Sequence, residues 1–313
     1  MTQTTKEVFE KYQVRKSKKQ RTAFIEYVKT VAQNLGYETK IEKGTFGARN
    51  IVVGNADKAK VLYTAHYDTC AKMFFPNFIT PKNFLIYALY QLLIVAGFFV
   101  VSGIVGILAT AIMMNLGIND MTATDAGIDI AFLVYFVMLF LLILGPANKH
   151  TANDNTSGVT TLLDIMASLP DNQRDKVAFV FFDLEEAGLF GSSSFAKNHK
   201  DIRNNTLVIN FDCVSDGKTI LFALKKTTKK YKDLLLHAFK STDTITVDVA
   251  EKGVFYPSDN ANFKGGIGVA ALKTSMLTKT LYMNRIHTSR DTVYDEENIT
   301  YLVNGAIKLA EII

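Results

Sequence analysis

Tryptophan is absent from this 313-residue sequence, cysteine occurs only twice, and proline five times. Without an indole, no binding wall can be made of tryptophan. Cys70 and Cys213 are too few to frame a chain of this length with disulfides, so they read as reduced, buried thiols in a protein suited to the cytosol. Scarce proline beside 19 glycines excludes a collagen-like or linker-like polymer. Charged residues make up only 21% against 48% hydrophobic, which excludes disorder and leaves ample material for a core. The formal net charge of +5 is mild, and Lys and Arg are dispersed apart from the run at 15–21. Nucleic acid is therefore not an expected partner, and that run reads as a solvated surface. The polar start, MTQTTKEVFEKYQ, predicts no cleavable secretory signal.

Charge is missing altogether from two stretches, 84–118 and 130–148, which hold no Asp, Glu, Lys, Arg or His. A helix rises about 1.5 Å per residue, so roughly 20 apolar residues cross a hydrocarbon core about 30 Å thick. The second stretch just meets that length; the first exceeds it and must tilt, break or project. Gly97, Gly103 and Gly106 offer small surfaces for a partner helix, and Pro81 and Pro146 stand as terminators. The pattern predicts a transmembrane helical hairpin over 81–146, inserted into a domain formed by 1–80 and 147–313. Lys72, Lys82, Lys149 and His150 flank its outer ends, whereas Asp120, Asp125 and Asp129 fall in the expected connection. By the positive-inside rule the flanks are cytoplasmic, which puts the protein in the cell membrane with its main domain in the cytoplasm. The expected partner of the 84–146 hairpin is the lipid bilayer, and the hairpin also offers a face for oligomer formation. The competing arrangement buries the helix pair against the domain or in a homodimer, and charge-free runs this long are hard to cover there.

Outside the insert, short β-like runs alternate with amphipathic helices, the pattern of a layered α/β fold. Strands are predicted at 50–53, 60–64, 177–182, 206–211, 220–223 and 268–272, and helices at 5–12, 20–35, 158–168, 231–240 and 298–312. The unbroken apolar run 177–182 implies a central strand covered on both faces. The fold class is α/β: three layers, α/β/α, with a mixed, mostly parallel central sheet.

The ends of those strands carry ligand-type residues in order. His66 and Asp68 follow the second strand; Asp154 precedes Gly158 after the hairpin; Asp183, Glu185 and Glu186 follow 177–182; Asp212 follows 206–211; His287 lies near the end. In an open α/β sheet the crevice outside the carboxyl ends of the strands is where ligands bind, so distant segments can converge there. Two imidazoles and several carboxylates suit a borderline divalent cation such as Zn²⁺. Taken singly each piece is weak, since a lone His-x-Asp or Glu-Glu pair is usually a solvated or hydrogen-bonded surface pair. His150, His199 and His237 sit in polar or helical contexts and read as structural.

In combination, His66-Tyr67-Asp68, Asp154-Asn155-Thr156-Ser157-Gly158, Glu185-Glu186-Ala187-Gly188 with Gly191-Ser192, Asp212, and His287-Thr288-Ser289-Arg290-Asp291 resemble the signatures of the M28 family of zinc aminopeptidases. The resemblance covers roughly residues 20–80 and 147–313, and the hairpin is its departure. It implies a peptide substrate and two Zn²⁺ ions, other divalent metals also being admissible. Asp154 would bridge them, with Glu186 and His287 completing one site and His66 and Asp212 the other. Glu185 would be the general base, and Asp68 the carboxylate that orients the metal-binding imidazole. In an extended segment Glu185 and Glu186 would point to opposite faces, one to the water and one to metal. The hairpin's feet follow Asp68 and precede Asp154, so it is expected at the rim of the crevice, with apolar peptides arriving from the bilayer.

Two alternatives share the fold. A glutaminyl-cyclase-like acyltransferase uses a single zinc and an indole-lined pocket, which a chain without tryptophan disfavours. A non-catalytic M28-like binding protein would have lost its metal ligands, and all are present here. A transporter would need more than one hairpin and polar intramembrane residues.

Overall fold

The central strands are buried at every position, a pattern that only a sheet covered on both faces satisfies. In the computed structural model, which describes all 313 residues, Met1–Phe84 and Ala147–Ile313 form one compact unit and Leu85–Pro146 a second. The chain begins with α1 (Gln3–Lys11), α2 (Lys18–Asn34), β1 (Thr39–Lys43), β2 (Arg49–Val53) and β3 (Val61–His66). The hairpin follows as α3 (Phe84–Asn115) and α4 (Asp120–Leu144). Then come α5 (Gly158–Ser168), β4 (Val177–Phe182), α6 (Phe190–Asn198), α7 (Lys200–Asn205) and β5 (Leu207–Phe211). The last elements are β6 (Thr219–Ala223), α8 (Lys232–Ala238), β7 (Thr246–Ala250), β8 (Gly266–Thr274), β9 (Leu281–Tyr282) and α9 (Glu296–Ile312).

The strands lie in the order β1-β2-β4-β3-β5-β8-β6-β7, with β9 on β8. The central four, β4, β3, β5 and β8, are mutually parallel, while β1, β2, β6 and β9 add antiparallel pairs. On one face Ile51, Val53, Tyr63, Phe179, Phe181 and Ile209 pack against α1, α2, α5, α8 and α9 through Val8, Phe24, Leu162, Leu235 and Leu302. On the other, Val52, Leu62, Val180, Phe182 and Val208 meet Phe195, Ile202 and Phe263. Each fully buried Phe of β4 contributes roughly 1.5–3 kcal/mol, which is why this strand is apolar at every position. Helix starts are set by local chemistry: Ser17 and Gln20 form a capping box on α2, and Asp295 accepts the amides of Glu297 and Asn298 on α9.

Register levels the strand ends. His66 stands opposite Phe182, and Thr64 opposite Asn210. His66, the loop after β4 and Asp212 after β5 therefore leave the same edge of the sheet, where the irregular turn Ala152–Ser157 also feeds α5.

Several expectations are corrected here. Edge strands β1, whose one apolar residue is Ile41, and β7, a short alternation of Val247 and Val249, are additions to the predicted strands, and α6, FGSSSFAKN, is too rich in serine and glycine to read as a helix. The run at 15–21 is not a solvated surface at both ends: Arg15 is fully buried, and Arg21 pairs with buried Asp183 at 2.9 Å.

Within the second unit, α3 and α4 are long and apolar enough to cross a membrane, and side chains such as Leu92, Ile107, Phe132 and Phe140 are exposed. The helix pair closes on Gly106 and Gly127: a Cβ at Gly127 would lie 1.9 Å from Thr110 Oγ1 and 2.8 Å from Gly106 O. Phe99 and Tyr135 stack with centroids 4.4 Å apart. Gly97 and Gly103, expected as contact surfaces, face open space. The acidic residues do not form a loop. Asn119 caps α4 by accepting the amide of Thr122 at 2.9 Å, and Asp120 complements the first turn, so Asp120, Asp125 and Asp129 are helical and the connection is only 116–119. Gly127→Leu is expected to pry α3 from α4, raising hydrogen exchange along both helices while leaving β3 and β4 protected; unchanged exchange in the hairpin would contradict this packing.

Candidate metal centre

The site is built around one carboxylate. Asp154 Oδ1 lies 3.3 Å from His66 Nε2, which also sits 3.5 Å from Asp212 Oδ1. Asp154 Oδ2 lies 3.0 Å from His287 Nε2, which is 3.2 Å from Glu186 Oε2. The two oxygens of a single side chain thus face two separate donor groups. One group is His66, Asp154 and Asp212; the other is Asp154, Glu186 and His287 together with Cys70, and the donor atoms within each lie within 4.8 Å of one another. All five residues expected as ligands converge, and Glu185 lies within the same distance of His66 and Glu186. His66, Asp154 and Asp212 are buried, whereas His287 keeps 22% of its side chain exposed.

Each donor is held from behind. His66 Nδ1 is 3.1 Å from the carbonyl oxygen of Asp68, which fixes the proton there and turns Nε2 toward Asp154. The Asp68 carboxylate is 3.6 Å from that nitrogen and is occupied elsewhere, accepting the amides of Glu185 at 3.0 Å and Glu186 at 3.2 Å. The segment at 185–186 is a turn, entered through Leu184 at φ 56°, and not the extended run expected. Both glutamates consequently reach the centre rather than opposite faces. His287 and Cys213 also adopt left-handed backbone, at φ 60° and 59°. Such conformations cost about 1–3 kcal/mol each in non-glycine residues and cluster where surrounding structure over-determines them.

The main chain of Asp154 is fixed by Asp291, whose carboxylate accepts the amides of Asn153 at 2.7 Å and Asp154 at 3.0 Å. Asn155 donates to Phe211 O and accepts from Gly158 and Cys213, tying the Asp154 turn to the end of β5. Asn153 accepts the amides of Ser215 and Asp216. Buried Arg15 donates to the carbonyls of Tyr67, Tyr12 and Gln13 and to Thr156 Oγ1, clamping the β3 end to the Asp154 turn. Burial lowers its guanidinium to about 10, against the pull of Asp68 and Asp154. Tyr256 donates to Asp212 O at 3.0 Å, and Asp259 is buried nearby, its carboxyl raised by burial to about 7. The roles of Asp291, Asn153, Asn155 and Arg15 were not assigned from sequence; the one signal for the asparagines was an unbroken polar run opening a buried helix.

Charge in the cluster is organised for a cation. Burial, then Asp154, pushes Glu186 up to about 8, while His287 draws it down. Against the cost of burial, Glu186 and Asp154 raise His287 to about 9. Burial opposes ionisation of Asp154 as well, but hydrogen bonds from His287 and His66 hold it below the usual carboxylate range. Glu186 Oε1 is buried without a hydrogen-bond partner. An orphaned carboxylate oxygen, two imidazoles aimed inward and several converging acids fit Zn²⁺ or a similar dication, which would satisfy charges that protons otherwise neutralise.

A family model described as peptidase family M28 matches residues 137–310. No curated protein matches the chain in sequence. Among solved structures, the chain resembles the LapA aminopeptidase of Legionella pneumophila, at 14% identity and a TM-score of 0.55 over 98% of this chain and 69% of that one. A glutaminyl cyclase of Porphyromonas gingivalis matches at 15% identity and a TM-score of 0.57 over 99% and 95%. A leucine aminopeptidase precursor from Bacteroides thetaiotaomicron matches at 13% and 0.55 over 97% and 93%. At these identities the likeness is one of fold.

Because Glu186 and His287 hold protons up to about pH 8–9 without metal, and ligands must be deprotonated to bind, metal uptake is expected to release protons and to weaken as pH falls from 9 to 6. Isothermal titration in buffers of different ionisation enthalpy reads both; pH-independent binding would contradict the arrangement. Asp154→Asn, which enters both donor groups, is expected to lose metal altogether.

Proposed function

The chain belongs to peptidase family M28 and is by that membership a zinc-dependent hydrolase; from this premise we propose that it is a two-zinc aminopeptidase, held at a membrane by its hairpin, that removes N-terminal residues from peptides. The observation that carries this reading is the division of the two Asp154 oxygens between the His66 and His287 groups. Asp154 would be shared by both ions, with His66 and Asp212 on one and Glu186 and His287 on the other. Bound there, the pair would supply Lewis-acid polarisation of the scissile carbonyl and acidify a water.

The chain's own groups then do the proton work. Glu185 takes the proton of the attacking water and returns it to the leaving amine. Without metal, burial raises its carboxyl well above the ordinary range, with His66 opposing and Glu186 and Asp212 reinforcing. Asp68 holds the amides of Glu185 and Glu186, so it acts by positioning the base. The acids around Asp212, Asp259 and Glu185 suit a protonated peptide N-terminus. Glu185→Gln is expected to retain metal while turnover falls by about 10²–10⁴; normal turnover would remove Glu185 from this role.

A glutaminyl-cyclase-like single-zinc acyltransferase is the second reading, favoured by the fold likeness to the P. gingivalis enzyme. The second donor group around His66 favours two metals, and the full ligand set argues against a non-catalytic binding protein. A peptide panel distinguishes them: loss of one N-terminal residue supports the aminopeptidase, and ring closure of N-terminal Gln without chain shortening supports the cyclase.

For the hairpin we propose a bilayer-spanning role with the metal centre on the cytoplasmic side, supported by the length and exposed apolar surface of α3 and α4 and by the basic flanks. Apolar peptides from the membrane are the substrates such an anchor favours, and the hairpin also supplies a surface for self-association. A label at 116–119 is expected to react from outside intact cells, and reaction only after the cytoplasm is opened would reverse the orientation.

A further inference from the structure

We propose that Cys70 is itself a metal ligand, its thiolate completing the group formed by Asp154, Glu186 and His287, so that the two cation positions are chemically unequal. This rests on the metallopeptidase reading above and adds a donor to it. Cys70 Sγ lies within 4.8 Å of a donor oxygen of Asp154, of one of Glu186, and of a ring nitrogen of His287. Among these donors, Glu186 Oε1 is buried without a partner.

The thiol is held in place from several directions. Cys70 is 1% exposed, and its carbonyl accepts the amide of Asn148 at 3.1 Å. Ala71 bridges Ala147 in antiparallel fashion, and Met73 donates to the carbonyl of His287 at 2.7 Å. The segment bearing the thiol is therefore stitched to the segment bearing an imidazole donor. Cys213 differs: its Sγ donates to Asp212 Oδ1 at 3.1 Å, and it belongs to no donor group.

One sulfur, one nitrogen and two carboxylates make a complete tetrahedral set, the closed arrangement of a tightly held zinc. His66, Asp154 and Asp212 supply three donors and leave a position open, the arrangement of a zinc that meets water or substrate. On coordination the S–H bond breaks, the metal–sulfur bond forms and the proton leaves to the buffer. A soft donor at one position selects zinc, cobalt or cadmium over magnesium or manganese there.

Two measurements test this on the full-length protein in detergent. Metal-stripped protein titrated with Co²⁺ is expected to show visible d–d bands and a near-ultraviolet sulfur-to-cobalt band. Cys70→Ser is expected to keep the visible bands and lose the near-ultraviolet one, and Cys213→Ser to keep both. Zinc-edge absorption of the unmutated protein needs no variant to fold, and a sulfur scatterer near about 2.3 Å is expected. Visible bands with no sulfur signal in the wild type, or a sulfur signal surviving Cys70→Ser, overturn the role of Cys70 and leave the two-metal reading standing. Failure of the wild type to bind either metal overturns both.

Discussion

A single buried carboxylate facing two imidazoles is the constraint that organises this protein. Asp154 is 3.3 Å from His66 and 3.0 Å from His287, one oxygen to each, and these residues come from three separate stretches of chain. A carboxylate can serve both only if its backbone is fixed, and the surrounding polar network does that. Asp291 takes two amides of the Asp154 turn, Asn155 ties that turn to β5, and Arg15 ties it to β3. Removing a partner from such a network leaves a buried polar group unsatisfied, at about 1–3 kcal/mol each, so the network behaves as a unit.

The same economy explains how 62 residues of hairpin interrupt the first unit between the segments that carry His66 and Asp154. The bases of the insertion are joined within the first unit: Ala71 bridges Ala147, and Asn148 donates to Cys70. Also within the first unit, Phe255 donates to Pro81 O at 2.8 Å. With its ends closed by these contacts, the inserted segment can lengthen at little further entropic cost, because loop closure grows only logarithmically with length.

Much of the scaffold was legible in the sequence because it obeys a period. Residues 177–182 and 158–168 form β4 and α5 at the expected limits, since an unbroken apolar run and a glycine-led amphipathic run leave few other solutions. The convergence of these side chains was legible from chemistry, as acids and imidazoles repeatedly follow strands. What escaped had no period to show. Leu184 turns the chain through a left-handed conformation that leucine rarely signals, so the two glutamates were assigned to opposite faces of a strand that does not exist there. Arg15 read as surface because a cation in a polar run usually is; only the third dimension supplies the four oxygens that bury it. Gly127 lies in an acidic stretch that reads as loop, and helix α4 claims it because Asn119 caps early.

The central claim is that Asp154 holds two cations at once. Crystals of the zinc-loaded protein, measured on both sides of the zinc absorption edge, test it without recourse to activity. The account predicts two anomalous peaks flanking the Asp154 carboxylate, one beside His66 and Asp212 and one beside Glu186 and His287. A lone peak, or peaks remote from Asp154, would contradict it.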